Sequence, residues 1–80
     1  MTITEKETVS QQVRAELEDA AADYRQVWLA GPRNEMEARA AYLTTVVVLH
    51  SMAERLGLDM NFAPFWRVLG ETRIRPSRRQ

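Results

Sequence analysis

The sequence predicts an all-α protein: an antiparallel helical hairpin of two long helices, followed by a short C-terminal helix and an extended basic tail. Three observations point to that class. Apolar residues recur at spacings of three and four along two successive stretches, which is the period of a helix with one buried face. Gly31-Pro32 separates those stretches, and Gly57 closes the second. A third, denser apolar cluster lies between Leu58 and Leu69 and is followed by Gly70.

The first strongly periodic segment runs from about Thr8 to Leu29. Val9, Val13, Leu17, Ala20, Tyr24, Val27 and Trp28 form one stripe, and Arg14, Glu16, Glu18, Asp19, Asp23 and Arg25 lie between them as a solvated face. Thr4 with Glu7, and Thr8 with Gln11, both match the capping box, in which a hydroxyl and a carboxylate or amide satisfy free backbone N–H groups. The Thr4 start is preferred, with fraying ahead of Thr8. Gly31 suits a left-handed C-cap, and Pro32 cannot continue the hydrogen-bond ladder.

The second helix should run from Arg33 or Asn34 to Leu56. Two apolar rows can be drawn along it: Met36, Ala40, Leu43, Val47 and His50 on one, and Tyr42, Val46, Leu49, Ala53 and Leu56 on the other. Such a wide apolar arc predicts burial on more than one side. Thr44 to Val48 is a β-branched run with strand propensity. Its flanks are strong helix formers with no breaker between them, which decides for helix. Two helices of about 22 residues each, joined by three or four, describe an antiparallel pair.

A short helix follows at Ala63–Leu69, with Asp59 or Asn61 as N-cap, Pro64 in its first turn and Gly70 as its stop. It is expected to fold across the open end of the hairpin. Residues 1–70 then form a single domain, and residues 71–80 a basic tail carrying Arg73, Arg75, Arg78 and Arg79.

Composition narrows function mainly by exclusion. The 80 residues are 45% hydrophobic and include no cysteine, so disulfides, thiolate zinc and iron–sulfur chemistry have no ligands. The longest strictly apolar run, Val46 to Leu49, is far below the roughly 18 residues of a membrane span, and the polar start does not read as a signal peptide. A cytoplasmic location without membrane association is expected. Eleven basic and eleven acidic residues cancel overall, yet residues 1–30 hold three and six of them while residues 61–80 hold five and one. The chain is dipolar.

Few groups are suited to catalysis. His50 is the sole histidine; Ser51 lies about 100° away round the helix, and His50 with Glu54 offers two ligands where a metal site needs three or four. Glu16, Asp19 and Asp23 share a face and read as solvated carboxylates. No phosphate-binding glycine loop or nucleophile elbow is present. The expectation is a non-enzymatic protein with no cofactor, no metal and no small-molecule substrate.

The favoured function is a small interaction or regulatory module, associating with another protein or with itself as a homodimer that completes a four-helix bundle. Its candidate interface residues are Trp28, Tyr42, Phe62, Phe65 and Trp66, residue types that dominate interface energetics. The alternative is a small DNA-binding regulator. Ala53-Glu54-Arg55-Leu56-Gly57-Leu58-Asp59, within a segment around residues 50–70, resembles the first helix and turn of a helix-turn-helix, with Arg55, Arg67, Arg73, Arg75, Arg78 and Arg79 as candidate phosphate contacts. Against it, residues 60–69 are mostly apolar, and a recognition helix must present polar groups to base edges.

Overall fold

The computed structural model describes residues 2–72; the arginines at 73, 75, 78 and 79 lie outside the described residues. Three helices make up the described chain: α1 (Ile3–Ala30), α2 (Glu35–Leu56) and α3 (Ala63–Glu71). A single 3-10 turn, Pro32–Asn34, links α1 to α2. The expected all-α hairpin is the fold.

The start of α1 lies two residues before the expected one. Thr2 is the N-cap: its Oγ1 accepts from the Glu5 N–H at 3.1 Å, and the Glu5 carboxylate accepts from the Thr2 N–H at 2.8 Å. That reciprocal pair is the capping box actually formed, and Thr4 instead lies inside the helix, its carbonyl accepting from the Thr8 hydroxyl. The bond from the Thr2 N–H to the exposed Glu5 carboxylate is the larger cause that holds its pKa below the usual value, and the Thr2 side chain acts in the same direction.

Gly31 ends α1, but not in the left-handed cap expected of it. Its φ of 131° and ψ of 178° fall in an extended region that a Cβ forbids. This redirects the chain at once into the 3-10 turn. Gly57 does form the left-handed cap at the end of α2, with φ 69°. Its N–H and that of Leu58 bond back to the carbonyls of Glu54 and Ala53, satisfying acceptors the helix end leaves open.

The core is one seam between the long helices. Val13, Leu17, Ala21 and Tyr24 of α1 face Tyr42, Val46, Leu49 and Ala53 of α2, all buried. The Tyr24 and Tyr42 rings stack at a centroid distance of 5.3 Å with 15° between their planes. The stripe on α1 is rotated slightly from the expected one, because Ala21 rather than Ala20 is fully buried. The cause is α3. Ala21 and Ala22 are small enough to leave a cleft, whose other wall is Pro64, Phe65 and Val68.

α3 does not fold across the open end of the hairpin. Phe62 stacks on His50, the Tyr42 hydroxyl donates to the Phe65 carbonyl at 2.8 Å, and Thr72 meets Arg39. Those partners move steadily toward the N-terminus of α2, so α3 runs back along the hairpin, antiparallel to α2. Asn61 supplies the predicted local cap, its Oδ1 accepting from the Ala63 N–H, although Phe62 occupies the N-cap position itself. Gly70 does not stop the helix; α3 continues through Glu71.

Thr72 belongs to the packed body rather than to a tail, being 4% exposed. Its carbonyl accepts from Arg39 Nη1 at 2.7 Å and from the Tyr24 hydroxyl at 3.2 Å, and its own hydroxyl lies 2.6 Å from the Val68 carbonyl. Arg39 Nη1 also donates to the Tyr24 oxygen at 3.1 Å. These contacts tie all three helices together at one level, the polar counterpart of the apolar seam.

Candidate association surface

α2 carries the candidate surface, because its charge pattern differs from that of its neighbours. Between Arg39 and Glu54 it has no acidic residue, lysine or arginine. Only one of its two apolar rows is covered. Tyr42, Val46, Leu49 and Ala53 are buried, whereas Met36, Leu43, Val47 and Val48 are 67%, 41%, 44% and 56% exposed. Ala40, Ala41, Thr44 and Ser51 complete the same outward side and are exposed as well. The burial on more than one side that the sequence suggests is therefore half fulfilled within a single chain.

The other helices present ordinary wet faces. α1 exposes Gln12, Glu16, Asp19, Asp23 and Gln26, and α3 exposes Arg67 and Glu71. Exposed Ile3, Leu29 and Leu56 lie near helix ends, with Ile3 in a cleft lined mostly by polar residues, among them Lys6, Glu7 and Arg14; a few exposed apolar residues of that kind are normal. The α2 face is different in kind, being continuous over several turns and bounded by charge.

Of the five aromatic residues expected at an interface, three are taken up inside the chain. Tyr42, Phe62 and Phe65 are 2%, 5% and 9% exposed. Burial raises the Tyr42 hydroxyl pKa above its usual value, only partly offset by the Arg25 charge. Trp66 is half-buried at the α2–α3 seam, 6.1 Å from the His50 ring. It therefore borders the exposed row. Trp28 is half-buried at the opposite end, beside Arg25, Leu29, Glu71 and Thr72.

His50 is a packing residue. Its ring lies 4.4 Å from that of Phe62, nearly parallel, which holds the start of α3 against α2. Glu16, Asp19 and Asp23 stand exposed on α1. A groove of about 220 Å³ follows the side of the hairpin away from α3, lined by Ala20, Val27, Ala38, Ala41 and Thr45 beside the tyrosine pair. Small residues dominate it, and it opens directly onto the uncharged side of α2.

The antiparallel run of α3 also bears on the nucleic-acid residues. A helix-turn-helix crosses its two helices at about 90–120° so that the second can enter a groove. Here α3 lies along α2, with Phe62, Phe65 and Val68 turned inward. Arg55 and Arg67 are both exposed, but on separate helices. Among the described residues, no helix is long and apolar enough to cross a membrane.

Sequence reasoning missed two residues that matter to this geometry. Thr72 fell in the segment assigned to the tail, and Glu35 counted only among the helix formers that flank the β-branched run. Glu35 is 1% exposed, and its Oε1 has no hydrogen-bond partner. Nothing in local spacing reveals either, since both depend on what packs over them. The chain matches no known family, no curated protein and no solved structure.

Proposed function

We propose that this protein is a non-enzymatic interaction module that works by protein–protein association through the outward side of α2. One observation carries the reading. Between Arg39 and Glu54 the helix has no acidic residue, lysine or arginine for about four turns and leaves Leu43, Val47 and Val48 in water, although the rest of the hairpin surface is well charged. Water contact with that surface is unfavourable by about 25 cal/mol for each Å² of apolar area. A partner that covers it gains this free energy without any rearrangement of the chain's own core. Charged residues at the two ends of the face then set which partner fits and in which orientation.

Exposed positions allow a clean test, because their substitution leaves the buried seam intact. Leu43→Gln with Val47→Gln should preserve the helical circular dichroism of the parent while abolishing concentration-dependent association in sedimentation equilibrium. Association unchanged by the pair would refute the assignment of this face. So would steeply salt-dependent DNA binding that survives the same substitutions, which would favour a nucleic-acid role.

A further inference from the structure

We infer that the partner on this face is a second copy of the chain, with the two α2 helices packed antiparallel about a twofold axis. The inference rests on the association reading above and names the occupant and its register.

The ends of the face supply the argument. Glu37 and Arg55 are both exposed, and they are 18 positions apart on one uninterrupted helix. At about 3.6 residues per turn this is five full turns, so the two side chains stand on one line of the helix about 27 Å apart. Every exposed residue from Ala40 to Ser51 is uncharged, and Glu54, exposed beside Arg55, stands about 100° round the helix from that line. One edge of this apolar strip therefore has a negative group at one end and a positive group at the other, and Glu54 stands on the opposite edge.

Such a strip is complementary to itself when reversed. A twofold axis perpendicular to α2 keeps each edge on the same side and exchanges the ends. Glu37 of one copy then meets the partner subunit's Arg55, and the contact is repeated at the other end. The register that aligns those charges also sets Leu43 and Thr44 near the partner's Val47 and Val48, and Ala40 near the partner's Ser51. Small side chains on this face let the two backbones approach closely, at about the 8–10 Å separation usual for packed helices. A parallel pairing does the reverse: it places Glu37 against the partner's Glu37, places Arg55 against the partner's Arg55, and aligns the two helix dipoles.

Assembled in this way, the two α2 helices form the centre of a bundle, and the charged outer faces of both α1 helices stay in water. The covered strip is about 27 Å long and about one helix diameter wide, a footprint of about 300 Å² on each copy, which is below the size of stable interfaces and belongs to the weak, transient class. Reversible association in the micromolar range is expected.

The test uses the full chain and three sets of variants at exposed positions. Sedimentation equilibrium from about 1 to 200 µM should show a monomer–dimer equilibrium, and Val47→Glu, which buries an unpaired charge at the centre, should weaken it by at least about a hundredfold. Glu37→Arg alone and Arg55→Glu alone should each weaken dimerisation by about tenfold, and the double exchange should restore it. Because the chain has no cysteine, Ala40→Cys with Ser51→Cys should crosslink into a dimer on oxidation while Ala40→Cys alone should not. A monomer at every concentration overturns both self-association and this register. A dimer that tolerates Val47→Glu, ignores the charge exchange, or crosslinks through Ala40→Cys alone overturns the antiparallel α2 pairing, even where association itself is real.

Discussion

Replacing Tyr24 by phenylalanine isolates the polar tie between the three helices, because the ring stays and only the hydroxyl leaves. That oxygen lies 3.1 Å from Arg39 Nη1, 3.0 Å from the Thr72 hydroxyl and 3.2 Å from the Thr72 carbonyl. Each former partner retains another bond: the Thr72 carbonyl still accepts from Arg39, and the Thr72 hydroxyl still donates to the Val68 carbonyl. No buried group is orphaned, so the loss should reflect the net worth of the bonds rather than a full desolvation penalty. With about 0.5–1.5 kcal/mol for each neutral bond and more where a guanidinium donates, Tyr24→Phe should cost about 2 kcal/mol. For a chain of this size that lowers Tm by about 8–16 °C, measured at one fixed protein concentration so that association does not enter.

The same reasoning predicts where the loss appears. Tyr42→Phe removes one neutral bond, to the Phe65 carbonyl, and should cost about 1 kcal/mol. Tyr24→Phe should in addition speed hydrogen exchange at the amides of Val68 to Thr72, since α3 has only nine residues and little helix stability of its own. A double-mutant cycle with Thr72→Val should give a coupling of at least about 0.5 kcal/mol. A Tyr24→Phe chain as stable as the parent, or one whose loss adds independently to that of Thr72→Val, refutes the network.

Three other outcomes follow from the packing and the caps. Leu17 is fully buried, and Leu17→Ala should cost about 2–5 kcal/mol in urea denaturation, with no change in m if unfolding stays cooperative. Glu35→Met keeps the volume and removes the unpartnered buried Oε1; relief of about 1–3 kcal/mol exceeds the about 0.3–1 kcal/mol lost at the helix N-terminus, so the urea midpoint should rise. Glu5 has a folded pKa below its ordinary value of 4.5, so its contribution is complete above 4.5 and is lost as pH falls through the lowered folded value. Amide exchange in the first turn of α1 should therefore accelerate on acidification below 4.5, and Glu5→Gln should largely abolish that pH dependence.

The elements were legible where one local signal sufficed. Gly57 and the helix formers flanking Thr44 to Val48 placed α2 to within two residues at its start and correctly at its end. At α1 three successive hydroxyl-to-acid or hydroxyl-to-amide pairs compete, Thr2, Thr4 and Thr8, and the earliest wins because it adds helix residues ahead of the two later candidates. Gly70 misled because glycine weakens a helix by only about 1 kcal/mol, which packing of Phe65 and Val68 readily exceeds. The candidate surface was half legible: the row Met36, Ala40, Leu43 and Val47 is visible in the sequence. Aromatic content pointed instead to Tyr42, Phe62 and Phe65, whose size makes them interface residues and core residues alike.

Periodicity, caps and breakers determined by themselves that this chain is two long helices and one short one, because those signals act within a few residues of where they lie. They also determined that α2 has more apolar surface than one neighbour can cover. Which row is covered was decided by tertiary structure. The connection from Gly57 to Phe62 permits α3 either to cross the hairpin or to run back along it. Ala21 and Ala22 open a cleft for Phe65 and Val68, and Arg39, Tyr24 and Thr72 close hydrogen bonds only in the second arrangement. These contacts join residues far apart in the sequence, and no local pattern encodes their sum. With α3 lying along one side, Tyr42 and Val46 face inward, and Leu43, Val47 and Val48 are left on the outside.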